Sequence, residues 1–274
     1  MTKAEATPPA ALGTSYFDAL SAGALLRRNL VVLLAASAAT AAVELGALAL
    51  ARGVGTGPRE AILVCLAAMT MWVALASAPL AAGGRTNWDA ALRGAIPADA
   101  SLLVLLVLPF LGSSPDTARS YVDFPGALGI YCVLAAVAVF SIAAVCCGRS
   151  ATARQVIAAA VAVVLAAAIA GPFWTGGLIH AGPYPAATAL VAWAIRANPF
   201  YAVTGAIAER MRFFWHEWGL MYDRIGSFRD YTPPPLRWHE TAILYAALAA
   251  ALGLVATIRR AGRGPRRTLA RTAS

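Results

Sequence analysis

Long apolar segments recur along this chain, and they constrain its fold more than any other feature of the sequence. A helix needs about 20 apolar residues to cross roughly 30 Å of hydrocarbon. Five segments have about this length, at 30–50, 61–82, 126–147, 156–175 and 241–258. Hydrophobic residues make up 60% of the sequence and charged residues only 13%, a balance too apolar for a water-soluble domain. The sequence therefore predicts an all-α, polytopic integral membrane protein.

A further span, third in chain order, is predicted at 95–112, although its uninterrupted apolar part covers only 100–112. It reaches spanning length only when Pro97 and Asp99 are included. Charge favours counting it, because Lys and Arg collect in cytoplasmic loops. With six spans and both termini in the cytoplasm, thirteen basic residues lie inside and three lie in the short outer loops. Without this span the chain ends would lie on opposite sides of the membrane.

The two ends of the chain are both predicted to be cytoplasmic. In 1–29, apolar residues at helical spacing are followed by Arg27 and Arg28, and two interpretations stay open. The stretch 15–29 forms either an amphipathic helix along the inner membrane face or the start of the first span. The tail 259–274 holds six of the 22 basic residues. This flanking position links the net charge of +9 to the membrane and excludes nucleic acid as a partner.

No motif for catalysis or for cofactor binding is present in the sequence. It contains no GxxxxGK[ST] loop, and its only lysine is Lys3, so a P-loop lysine is excluded. The histidines His180, His216 and His239 show no metal-ligand spacing. The four cysteines lie in or beside apolar runs, as buried thiols do. We therefore expect no enzymatic activity, no metal and no cofactor.

Glu44 is the one carboxylate well inside a full-length apolar segment. An ionisable group within a membrane is costly to keep there, which makes Glu44 a functional candidate. The alternative is that it lies close enough to the outer third of the membrane to reach water or a neighbouring helix.

The long segment 176–238, predicted to be outside, is rich in aromatic residues. Glycines and prolines at 176, 177, 183 and 185 break the helix that leaves span five, and a short apolar run follows at 186–195. This run is too short to cross the membrane, so it predicts a re-entrant or interfacial helix held at headgroup level by aromatic side chains. A lid that rests on the membrane without a role in transport is the alternative.

Three short stretches carry a resemblance. Residues 85–99 read Arg-Thr-Asn-Trp-Asp-Ala-Ala-Leu-Arg-Gly-Ala-Ile-Pro-Ala-Asp, residues 141–153 read Ser-Ile-Ala-Ala-Val-Cys-Cys-Gly-Arg-Ser-Ala-Thr-Ala, and residues 198–203 read Asn-Pro-Phe-Tyr-Ala-Val. Together they resemble the type 2 family of ABC transporter permeases, which are exporter-type membrane subunits. The first is similar to the family's helix before span three, the second to its start of span five, and the third to its Asn-Pro segment after the re-entrant helices. The family's usual glutamates are missing from the first stretch, where Asn87, Trp88 and Asp89 stand instead.

The resemblance implies a permease subunit of the bacterial cytoplasmic (inner) membrane, with membrane lipids around it. It would pair with a second permease subunit, in a homo- or heterodimer, and be driven by a separate ATP-binding cassette ATPase subunit. The implied contact with the ATPase involves Trp88, Asp89, Leu92, Arg93 and Pro97. The implied outer re-entrant or gate segment involves Asn198, Pro199, Phe200 and Tyr201.

Two other classes compete with the permease. An accessory or structural subunit of a larger membrane complex fits the scarcity of charged residues inside the spans. A membrane enzyme acting on lipid would need several polar residues at one depth, and the spans offer little beyond Glu44.

Overall fold

A computed structural model describes residues 22–108, 122–171, 184–207 and 237–261, and within these ranges the regular structure is entirely helical. Eight helices follow one another in the described residues: α1 (Ala22–Gly53), α2 (Pro58–Ala82), α3 (Asn87–Val107), α4 (Phe124–Cys146), α5 (Ala151–Ile169), α6 (Tyr184–Ala197), α7 (Pro199–Gly205) and α8 (Trp238–Ala261). Six of them, α1 to α5 and α8, are long and apolar enough to cross a membrane. The predicted all-α, polytopic membrane fold is confirmed.

Local signals explain where several of these helices begin. The side chains of Thr86, Asp123 and Ser150 each accept a hydrogen bond from an amide in the first turn of α3, α4 and α5. Such caps satisfy amides that have no partner within the helix. Pro58 opens α2, where its missing N–H is harmless and its fixed φ angle suits the first turn.

The first helix resolves part of the ambiguity at the N-terminus. Because α1 runs from Ala22 to Gly53, residues 22–29 belong to the first span rather than to a separate amphipathic helix. At 1.5 Å per residue, a helix of 32 residues is about 48 Å long and exceeds the roughly 30 Å of hydrocarbon. The turn that carries Arg27 and Arg28 therefore extends towards the aqueous boundary. Residues 1–21 lie outside the described residues.

The third span begins earlier than the predicted residue 95, because α3 is continuous from Asn87 and contains Pro97 in its interior. Proline removes the amide that would bond the carbonyl of Arg93, which usually interrupts a helix. Here the helix continues, and Oγ of Ser101 lies 2.7 Å from the Pro97 carbonyl oxygen. The residues on both sides of the proline, Ile96 and Ala98, are buried in the bundle. The predicted end at 112 lies outside the described residues.

The centre of the bundle is α2, which packs against α1, α3, α4, α5 and α7. In its most apolar stretch 67% of the residues are buried, against 11% in α1 and 17% in α5 and α8, which therefore lie at the periphery of the bundle. Small residues permit close approach of the helices, as is typical in membranes. At Gly94 of α3, an added Cβ would lie 2.5 Å from Cγ1 of Ile142 in α4.

Two ends of the bundle matter for the site. The Asp89 end is the end where α1 and α3 begin and where α8 finishes. The Asn198 end is the opposite end, where α6 and α7 lie between spans five and six. The helix predicted around 186–195 is present as α6, and its 14 residues span only about 21 Å, which is too short to cross the membrane. The parts of the outer segment at 176–183 and 208–236, with His180, His216 and most of its aromatic residues, lie outside the described residues.

Candidate functional site

A buried carboxylate organises the Asp89 end. Asp89 lies in the first turn of α3 and is 0% exposed, and Arg28 of α1 forms a salt bridge with its Oδ2. Asn29 donates to Oδ1 of the same carboxylate. The backbone N–H of Arg85 donates to Oδ2 at 3.1 Å. A buried charge is tolerated only when it is paired and hydrogen-bonded, and Asp89 meets both conditions.

Arg93, one turn further along α3, completes what we call the Asp89 cluster: Arg28, Asn29, Asp89 and Arg93. Its Nε donates to Oδ1 of Asn29 at 2.8 Å, and its Nη1 donates to the carbonyl of Gly83 at 2.9 Å. The amide of Asn29 therefore bridges the carboxylate and the guanidinium. The cluster fixes the start of α3 to α1 and to the end of α2.

A second arginine ties the same region to α5. Nη1 of Arg154 donates to the carbonyl of Gly84 at 2.9 Å, and its Nη2 donates to Oδ1 of Asn87 at 3.4 Å. Its Nε donates to the carbonyl of Gly148, in the turn between α4 and α5, at 3.3 Å. The short turn between α2 and α3 is thus held from two sides, by the Asp89 cluster and by Arg154.

The residues that the resemblance implied for contact with an ATPase divide into two groups. Asp89 and Arg93 make contacts within the bundle, and Pro97 is buried in α3. Leu92 is half-buried, whereas Trp88 is 71% exposed in the same first turn as Asp89. Only Trp88 therefore presents a large side chain outwards at this end of α3.

The Asn-Pro segment forms a corner between α6 and α7. Asn198 is 0% exposed, and its Oδ1 accepts hydrogen bonds from the N–H groups of Phe200 at 2.9 Å and Tyr201 at 3.4 Å. Its Nδ2 donates to the carbonyl of Ile169, at the end of α5, at 3.1 Å. Asn198 thus caps α7 and ties it to the preceding span, while Pro199 occupies the first helical position.

Contacts with α8 hold the other side of this corner. The Tyr245 hydroxyl donates to the carbonyl of Ala197 at 2.7 Å, and the Thr241 hydroxyl donates to the carbonyl of Arg196 at 2.8 Å. The Arg196 guanidinium lies 3.3 Å from a carboxylate oxygen of Glu240. Of the four predicted gate residues, Tyr201 is buried in α7, and burial raises the pKa of its hydroxyl. The break between α6 and α7 is therefore anchored to spans five and six.

Glu44 lies inside the bundle and is 0% exposed, so it does not reach water. Its Oε1 accepts a hydrogen bond from the Ser101 hydroxyl of α3, in agreement with the alternative that it meets a neighbouring helix. Among the described residues, its Oε2 has no hydrogen-bond partner. The thiol of Cys65 in α2 donates to the Glu44 carbonyl at 3.5 Å. Glu44 therefore lies where α1, α2 and α3 meet.

Asp99 was not singled out by the sequence, because a span starting at 95 would put it at the membrane edge. With α3 starting at Asn87, it lies about 18 Å along the helix, near the middle of its 21 residues. The Asp99 side chain is exposed on the outside of the bundle, where its Oδ1 accepts a hydrogen bond from the Tyr131 hydroxyl of α4 at 2.9 Å. Ionisable groups within a membrane span normally face a bundle interior or a water-filled cavity.

Arg28, Asn29 and Arg154 were also missed as site residues. One signal was available in the sequence: the polar pair Arg28-Asn29 stands directly before an apolar run. An asparagine in that position needs a hydrogen-bond partner. In the described part of the chain, no three His, Cys, Asp or Glu side chains come together as metal ligands do.

The chain therefore belongs to the class of integral membrane proteins. Its bundle has a buried polar cluster at one end and an anchored helix break at the other. No family model, no curated protein and no solved structure matches the chain.

Proposed function

We propose that this chain is the permease subunit of an ATP-binding-cassette transporter of the exporter type. The observation that carries the proposal is the first turn of α3, where the exposed Trp88 neighbours the buried Asp89. An ATPase subunit that moved Trp88 would move a turn that is tied to α1 through Arg28 and Asn29. The same turn is tied to α5 through Arg154. One contact would therefore displace several spans together.

Buried polar contacts suit this role better than apolar packing alone. Separating the buried Asp89 carboxylate from Arg28 would leave its charge uncompensated. We therefore expect α1 and α3 to move as one body. The exposed Trp88 also fits an aromatic anchor at the membrane boundary, and the experiment below distinguishes the two roles.

The anchored corner at Asn198 supports a gate on the opposite side. Non-helical backbone at membrane depth is tolerated only where it is buried in protein or lines a water-filled cavity. The polar contacts of Asn198, Thr241 and Tyr245 meet that condition, and they join the corner to spans five and six. Tilting of those spans would then be transmitted to the α6–α7 break, which would open or close the path for substrate.

Pairing with a second permease subunit is supported by Asp99. A carboxylate on the outside of the bundle near the middle of a predicted span is costly against lipid, so this flank of α3 and α4 requires protein or water beside it. We assign it to the boundary with the second subunit. The excess of arginines at the Asp89 end supports a cytoplasmic position for that end and for both termini.

The proposal is tested by replacing two exposed tryptophans separately. Trp88→Ala removes the contact proposed for the ATPase, and Trp193→Ala, at a residue 61% exposed on α6, removes a comparable side chain at the other end. We expect an ATPase subunit with a Walker A loop to co-purify several-fold less with Trp88→Ala and unchanged with Trp193→Ala. Equal recovery with both variants would contradict the coupling role of α3.

A further inference from the structure

A cavity of about 290 Å³ opens at the Asp89 end, between the last turn of α4, the first turn of α5 and the last turns of α8. Three arginines line it, Arg149, Arg154 and Arg259. None of the described residues that line the cavity is acidic. It is therefore a strongly positive concavity where three predicted spans end.

The three arginines contribute in different ways. Arg154 is held in place, since its guanidinium donates to the carbonyls of Gly84 and Gly148 and to Asn87. Arg149 and Arg259 are exposed, one in the turn before α5 and the other near the end of α8. Among the described residues, Asp89 is the only carboxylate at this end of the bundle, and Arg28 already pairs with it. The cavity therefore lacks an internal anion to balance its charge.

We infer that this cavity binds the phosphate group of an anionic phospholipid. Planar guanidinium groups bind phosphate oxygens in a bidentate manner, and basic pockets between spans at a membrane face are suited to anionic headgroups. Exposed apolar side chains are present on the helices that flank the cavity, with Val156 on α5 and Val255 and Ile258 on α8. These surfaces would carry the acyl chains, which a free phosphate ion does not have.

The experiment compares lipid retention by the intact purified protein in native mass spectrometry. The probes are phosphatidylglycerol, phosphatidylcholine and inorganic phosphate. Arg149→Gln with Arg259→Gln removes the two exposed arginines of the cavity. Arg27→Gln with Arg85→Gln removes two exposed arginines at the same end outside it and serves as the matched control.

Wild type and the control are expected to retain phosphatidylglycerol in preference to phosphatidylcholine. The cavity variant, which lacks two arginines, is expected to bind phosphatidylglycerol on the order of 25-fold more weakly, because each arginine near an anionic lipid surface contributes a factor of about five. Three results would overturn the inference: equal losses in both double variants, no preference in the wild type, or displacement of the lipid by inorganic phosphate.

Discussion

At the scale of single residues, Glu44 and Ser101 form a buried polar contact in the interior of the bundle, and substitutions there should change its stability. The Glu44 carboxyl has one hydrogen-bonded oxygen, and its Oε2 has no partner among the described residues. Removing one member of a buried polar pair leaves the other unsatisfied, whereas replacing both with apolar groups is nearly neutral. The two single changes and the double change should therefore not be additive.

Ser101→Ala is expected to lower the free energy of unfolding by about 1–3 kcal/mol, because Glu44 loses its side-chain partner. Glu44→Leu combined with Ser101→Ala should recover most of that loss. Thermal unfolding in detergent micelles measures both. Ser77→Ala is the matched control, since the Ser77 hydroxyl is buried without a hydrogen-bond partner among the described residues and its removal should cost little. A double variant less stable than Ser101→Ala would show that Glu44 makes contacts beyond this pair.

At the scale of elements, α3 depends on close packing around Gly94. A Cβ at this position would lie 2.5 Å from Cγ1 of Ile142 in α4 and 3.0 Å from Cβ of Ala81 in α2. The glycine therefore sets the distance between three helices. In α1, by contrast, a Cβ at Gly46 would meet nothing within 4 Å.

Gly94→Ala should destabilise the bundle by about 1–3 kcal/mol, as overpacking does, despite the better helix propensity of alanine. Gly46→Ala should leave stability unchanged or raise it by up to about 1 kcal/mol, because only the propensity term remains. Chemical denaturation of the two variants side by side measures the difference. If both substitutions were equally harmless, the close approach of α3 to α4 would be in doubt.

The sequence predicts a helix well when the residues that determine it lie close together in the chain. The full-length spans are readable because about 20 apolar residues have few alternatives to crossing a membrane. The continuity of the third span back to Asn87 was not predicted, because Asn87 and Asp89 are polar and Pro97 indicates a helix boundary. These residues are helical because Asp89 is satisfied by Arg28 and Asn29, about 60 positions away in sequence.

The two predicted sites, the Asn198 segment and the ATPase contact, were each only partly predictable, because some of their contacts join residues far apart in sequence. The Asn-Pro pair at 198 and 199 is a local signal for a helix start, since asparagine caps a helix and proline suits its first position. Its contact with Ile169 comes from the fold and could not be read locally. Likewise, the resemblance implied a helix around Trp88, Asp89 and Arg93 but not which of these side chains is exposed. That distinction required α1, against which Asp89 and Arg93 pack.

At the scale of the whole molecule, the six long apolar helices form a bundle in which the first described residue, Ala22, and the last, Ala261, lie at the same end. Arg28 forms a salt bridge at the start of α3, and Arg154 donates to a carbonyl in the turn before it. Arg154 also lines the same cavity as Arg259 of α8. In the proposed assembly, this arginine-rich end faces the ATPase and the Asp99 flank faces the second permease subunit. The subunit composition of the complex, and so its native mass, follows from that arrangement.

The most direct test is the native mass and composition of the complex purified from its own membrane through a tag on this chain. We predict two permease subunits with two copies of an ATPase that contains a Walker A loop. A stoichiometric partner without such a loop would favour an accessory subunit of a larger membrane complex. That result, or recovery of the chain active and alone, would contradict the proposed function.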